Sequence, residues 1–89
     1  MKLIKSDEKG KTFETSTPNF KVLYRNKNSI AEDNTENPEE LIFLITGDAE
    51  ITLKKKTWTA TAPTQINFPT NTYHKIKALT DISFIVFEN

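Results

Sequence analysis

Apolar and polar residues alternate in short runs along most of this 89-residue chain, the period of two that marks strands with one wet face. Phe20, Val22 and Tyr24 alternate with Lys21 and Arg25, and Ala49, Ile51 and Leu53 with Glu50, Thr52 and Lys54. Trp58 and Ala60 alternate with Thr57, Thr59 and Thr61, Ile66 and Phe68 with Gln65 and Asn67, and His74, Ile76 and Ala78 with Tyr73, Lys75 and Lys77. Turn signals part these runs at Gly47-Asp48, Lys55-Lys56, Ala62-Pro63-Thr64, Pro69-Thr70-Asn71 and Leu79-Thr80-Asp81, at the spacing of roughly 8 to 12 residues found in sandwiches and small barrels. No segment sustains a 3.6-residue period, so essentially no helix is expected beyond a turn near Pro38-Glu39.

Two runs, Leu41 to Ile45 and Ile82 to Phe87, are apolar at nearly every position. In an all-strand protein that implies burial on both faces, one against the interior and the other under a second sheet, the N-terminal strands or a partner subunit. A homodimer is the expectation. The polar segment from Asn26 to Pro38 reads as a long loop with room for a short strand around Ser29 to Ala31, and Ser6 to Thr12 reads as a solvated connection.

Composition narrows the function classes. One domain over residues 1–89 is expected at this length. Twelve Lys plus Arg balance twelve Asp plus Glu, leaving no net positive field to hold nucleic acid or an anionic membrane. Lys54-Lys55-Lys56 sits at a hairpin tip, where solvated charge is the ordinary reading. The absence of Cys excludes disulfides, thiolate metal sites and cysteine nucleophiles and accords with a reducing compartment. No apolar run approaches the ~20 residues that span a bilayer, and the N-terminus lacks the apolar core of a secretory signal. A cytoplasmic protein with neither nucleic-acid nor membrane partners is expected.

The segment from Glu39 to Ile51, followed by Ile66 to Ile76, resembles the cupin family over about residues 30–88. Glu40 and Gly47 fit the end of the first cupin motif, GxxxxxHxHxxxxExxxxxxG with three or four residues before its Glu. Pro69 and His74 fit the second, GxxxxxPxGxxHxxxN, with Asn71 in the place of a Gly, a substitution that suits a positive φ. Four of the ten lettered positions are identical. Where cupins carry two His in the first motif, this chain has Asn34 and Glu36, or Asp33 and Thr35 at the longer spacing, while Pro63 and Ala78 replace the Gly and Asn that bound the second. The resemblance implies a small cupin-type β-barrel, a double-stranded β-helix or jelly roll. It also implies a divalent transition metal, for which His74 and Glu40 are the surviving ligands, with Glu36 and Asn34 as additional oxygen donors.

Strand parity turns His74 to the interior with Ile76 and Ala78, and Glu40 to the side of Ile42 and Leu44. An interior carboxylate must be paired, hydrogen-bonded or protonated, and His74 is its natural partner. His74 reads equally as a hydrogen-bonded core residue, and Trp58 as core rather than a stacking platform. The leading expectation is a small molecule, sugar-like or anionic, bound in a cavity lined by Glu40, Ile42, Trp58, Phe68 and His74. No complete catalytic set is present, and His74 and Glu40 are the candidates for proton transfer. The alternatives are a metal-dependent cupin enzyme of oxygenase or isomerase type using His74 and Glu40, and an oligomerisation module with a filled barrel.

Overall fold

The computed structural model describes residues 1–88, and of Asn34 the backbone alone. The described residues form ten strands and no helix, joined by turns and short irregular segments. One antiparallel sheet orders β1 (Lys2–Asp7), β2 (Gly10–Ser16), β3 (Asn19–Arg25), β10 (Ile82–Glu88), β5 (Glu40–Thr46) and β8 (Thr64–Phe68). The other orders β4 (Ile30–Asn34), β9 (His74–Ala78), β6 (Asp48–Leu53) and β7 (Lys56–Thr61).

The inward residues complement one another in size. The six-stranded sheet contributes Leu23, Ile42, Leu44, Ile66, Phe68, Ile82, Phe84 and Val86, and the four-stranded sheet answers with Ala31, Ala49, Ala60 and Ala78 around Ile51 and Ile76. Large side chains facing alanines let the two sheets close to interior packing density. The alternating runs mark β3 and β6 to β9 and the two continuous apolar runs mark β5 and β10, but the face of β3 is reversed: Leu23 is buried, and Tyr24, read with Phe20 and Val22 as the apolar face, is exposed.

Three expectations change. Ser6 to Thr12, read as connection, is strand on either side of a turn at Glu8 and Lys9. Every residue of β1 is exposed, so its main-chain ladder to β2 holds it in place and apolar periodicity gives no signal of it. The short strand near Ser29 to Ala31 runs on as far as Asn34. Strands β5 and β10 are buried on one face only: Ile42, Leu44, Phe84 and Val86 are sealed in the core, while Ile45 on the opposite face is 47% exposed.

Gly47 joins β5 to β6 at a φ of 87°, and a Cβ there would run into the backbone oxygen of Asp81 and the side chains of Thr80 and Ile82. Gly47→Ala is therefore expected to lose about 1–3 kcal/mol, measurable as a lower urea midpoint at unchanged m-value.

Candidate functional site

The chemistry gathers where β5 begins, β9 begins and β4 ends. Glu40 opens β5 with its side chain on the core face, 4% exposed, and His74 opens β9 fully buried. Pro69, Thr70 and Asn71 turn the chain from β8 into β9. Asn71 adopts the left-handed region at φ 50°, as its place in the motif requires. Its N–H donates to the Asn37 carbonyl at 2.9 Å, tying this turn to the loop before β5.

His74 is aimed from two sides. Its Nδ1 lies 2.8 Å from the Thr72 carbonyl oxygen, which makes Nδ1 the donor, so that in the neutral ring the lone pair is on Nε2. The ring stacks on Phe68 with centroids 4.3 Å apart at 28°. Nε2 then points at two carboxylates, 3.1 Å from Glu40 Oε1 and 3.6 Å from Glu32 Oε2. Nε2 and Oε1 come within hydrogen-bond length without a hydrogen bond's alignment, and both are buried without a hydrogen-bond partner.

Glu32 is the residue that sequence reasoning missed. Ala31 pairs with Ile76 and Asn34 with His74, so Glu32 and Asp33 together oppose Lys75 in a β-bulge. Glu32 takes a φ of 57°, a conformation that a residue with a Cβ seldom adopts without a compensating reason. The extra residue resets the alternation, and the Glu32 carboxylate reaches Glu40 and His74, so that one ligand atom from each of the three lies within 4.8 Å of the others. A non-glycine bulge has no reliable local signature, so no pattern in the sequence pointed to it.

Electrostatics follow from this crowding. Burial, followed by the charge of Glu32, a hydrogen bond to the Glu32 carboxylate and the charge of Glu88, pushes the Glu40 carboxyl up to about 8 against a small opposing effect of Lys21. The Glu40 carboxyl thus keeps its proton near neutrality, hydrogen-bonded to Glu32.

A cleft of about 130 Å³ opens from Glu32 and Glu40 past Lys21, Glu36, Asn37 and Glu88. Lys21 Nζ is engaged by Glu88 at 3.3 Å. Asn37 is buried, donates Nδ2 to the carbonyls of Pro38 and Pro69, and leaves Oδ1 without a donor.

The structure thus brings together Glu40, His74 and Phe68, with Ile42 buried in the core next along β5 and Glu36 at the rim of the cleft. The side chain of Asn34 lies outside the described residues. Trp58 stands apart, 39% exposed on the edge strand β7, two strands from His74 across the sheet. A roomier hollow of about 530 Å³ beside Leu53, Lys54 to Lys56 and Pro69 includes none of the three converging residues. Among the described residues no helix is long and apolar enough to cross a membrane.

No protein-family model matches the sequence, and no curated protein aligns with it. Solved structures do match. An RmlC-like cupin from Shewanella frigidimarina superposes at TM-score 0.83 with 10% identity, over 96% of this chain and 79% of its own. KdgF from Halomonas sp. superposes at TM-score 0.81 with 13% identity, over 99% and 87%. A cupin superfamily protein from Desulfitobacterium hafniense superposes at TM-score 0.70 with 12% identity over 76% of this chain, which spans only 62% of that protein's length. The two facing antiparallel sheets and these superpositions together identify the architecture as the cupin fold, a double-stranded β-helix.

Proposed function

We propose that this protein binds a divalent transition-metal ion between its two sheets, through Nε2 of His74 and the carboxylates of Glu32 and Glu40, with the remaining positions open to a small hydrogen-bond-donating ligand. The observation that carries the reading is the buried, unpartnered Nε2 aimed at two carboxylates. One imidazole nitrogen with carboxylate oxygens suits zinc, manganese, iron or nickel. Three protein ligands leave coordination positions free, as in reactive rather than purely structural centres. The Thr72 carbonyl supplies the outer contact that holds a ligating imidazole in its tautomer. Without a cation, a proton on Glu40 relieves the repulsion between the two acidic groups. With one, the same pair attracts it.

Volume and polarity select the ligand class. The barrel interior is filled by side chains such as Phe68, Phe84 and Leu44, so the space that opens onto Glu32 and Glu40 together is the cleft. A cleft of 130 Å³ holds about four waters at ~30 Å³ each, well short of the ~300–1,000 Å³ of pockets for larger ligands. This favours an ion with its waters, or a molecule of a few heavy atoms, over a sugar. Acceptors dominate the lining, with four carboxylates and Asn37 Oδ1 facing a single ammonium already paired with Glu88. A neutral or cationic ligand fits that surface better than an anionic one. A bound ion supplies Lewis acidity, polarising a ligand oxygen or acidifying a bound water.

Thermal unfolding of the chelator-treated protein tests the reading. A cation present at a hundred times its dissociation constant adds about 2.7 kcal/mol to stability, which for a domain of this size is a rise in Tm of roughly 10 °C or more. At least one of Mn²⁺, Fe²⁺, Ni²⁺ and Zn²⁺ is expected to give that rise. The absence of a shift with all four would overturn the reading.

A further inference from the structure

We infer that the hollow between the β6–β7 turn and Pro69 binds a small soluble organic anion, its acidic head held by Lys54, Lys55 and Lys56 and its apolar body laid against Leu53 and Pro69. None of these residues belongs to the trio that converges on the proposed metal position. The hollow measures about 530 Å³, within the ~300–1,000 Å³ of ordinary ligand pockets. Its floor is apolar. Leu53 ends the buried face of β6 and packs on the core while staying partly exposed, and the exposed Pro69 completes the lining.

The rim is cationic and unneutralised. No acidic side chain lines the hollow, and among the described residues none of the three ammonium groups has an ion-pair partner. Three like charges in succession repel one another, and an anion between them relieves that repulsion. Lysine is also ill suited to the turn itself. Leu53 pairs with Lys56, so Lys54 and Lys55 form a two-residue hairpin connection, where Asn or Gly fits a left-handed backbone most easily. Lys54 takes a φ of 57° there, a conformation that a residue with a Cβ adopts at a cost. Solvated charge leaves that cost unexplained, whereas a ligand held by the ammonium accounts for it. The Lys54 N–H donates to the Tyr73 carbonyl at 2.9 Å, fastening the turn to the segment that leads into His74.

Rim and floor together select the occupant. An ammonium is a point charge that accepts a carboxylate or phosphate head without the planar fork of arginine, but a bare inorganic ion would leave the apolar floor in water. A nucleic-acid strand needs aromatic side chains on which its bases stack, and none lines the hollow. Recognition of anionic lipid uses clusters of roughly four to eight basic residues, more than are gathered here. Leu53 lies in register with His74 across β6 and β9, so the hollow neighbours the acidic site while taking a ligand of the opposite charge.

Titration of octanoate into the isotope-labelled full chain, followed through its amide NMR signals, tests this inference. Chelator is present throughout, so that no bound metal can capture the carboxylate and the outcome is independent of the metal reading. Saturable shifts at Leu53 to Lys56 and Thr70 are expected, with acetate and octanol binding at least about tenfold more weakly and octylammonium leaving these signals in place. The triple variant Lys54→Gln/Lys55→Gln/Lys56→Gln, at three exposed positions, is expected to keep its strand circular dichroism and its affinity for octanol while losing at least about tenfold in affinity for octanoate. Octanoate that moves none of these amides overturns the inference, as does octanol binding as tightly as octanoate, or an octanoate affinity that the triple variant leaves unchanged. A chain that binds phosphatidylglycerol vesicles but not octanoate overturns it as well.

Discussion

His74→Ala is expected to abolish the metal-dependent rise in Tm, lowering affinity by more than the ~10–100-fold typical of outer-shell changes, because it deletes the only nitrogen donor in the site. Glu32 and Glu40 remain side by side after the substitution, and two carboxylates alone resemble a weak hard-cation site rather than one selective for transition metals. The substitution also removes the ring stacked on Phe68. Some stability is therefore lost with or without metal, and the informative quantity is the difference between metal-loaded and metal-free Tm. His74→Gln separates the two effects, since it retains most of the volume while offering only a weak amide donor. Isothermal titration with Zn²⁺ is expected to show one site in the wild type and none in either variant. A variant that binds as tightly as the wild type removes His74 from the site.

Glu40→Gln is expected to flatten the pH dependence of the metal-free protein. The folded-state carboxyl is pushed up to about 8 from an ordinary value of 4.5, so between those values the folded chain keeps a proton that the unfolded chain has released. The folded state then binds more protons, and stability falls as pH rises through this window before levelling above about 8. The charge is screened by solvent in the cleft, so the loss between pH 5 and 8 is on the order of 1–3 kcal/mol. A glutamine is neutral throughout and mimics the protonated acid, so the variant is expected to match the wild type near pH 5 and exceed it near pH 8. Urea unfolding in the presence of chelator at the two pH values measures this. Parallel pH profiles for the two proteins would contradict a buried carboxyl on Glu40 that keeps its proton up to about 8.

Period-two alternation and two continuous apolar runs made most of the fold legible, most cleanly in β6 and β9, where buried positions alternate with partly exposed ones. It failed where pairing rather than burial holds a strand: β1 is exposed along its whole length and leaves no apolar trace. The site was legible in part. The spacing of Glu40, Gly47, Pro69 and His74 located two of the three converging residues, and parity gave their inward direction. Glu32 could not be read, because alternation counted from the buried Ala31 turns it outward and only the bulge opposite Lys75 turns it in. Trp58 shows the opposite limit. It shares the face of Ala60 and lies in register with the buried Ile51, yet β7 closes the edge of its sheet, and strand order is not written in local pattern.

The acidic cleft also bears on the choice among ligands. A sugar-like or anionic molecule is the expectation from a motif that lacks its histidines. Glu32 provides a third donor from the strand where those histidines were sought, and its charge favours a cation over an anion.

Equilibrium dialysis of the chelator-stripped full chain against a single transition metal, followed by elemental analysis, tests the central claim most directly. One equivalent retained per chain, reduced to near zero by His74→Ala and by the double variant Glu32→Gln/Glu40→Gln, is the predicted result. Well below one equivalent of manganese, iron, nickel and zinc on the wild-type chain would contradict it.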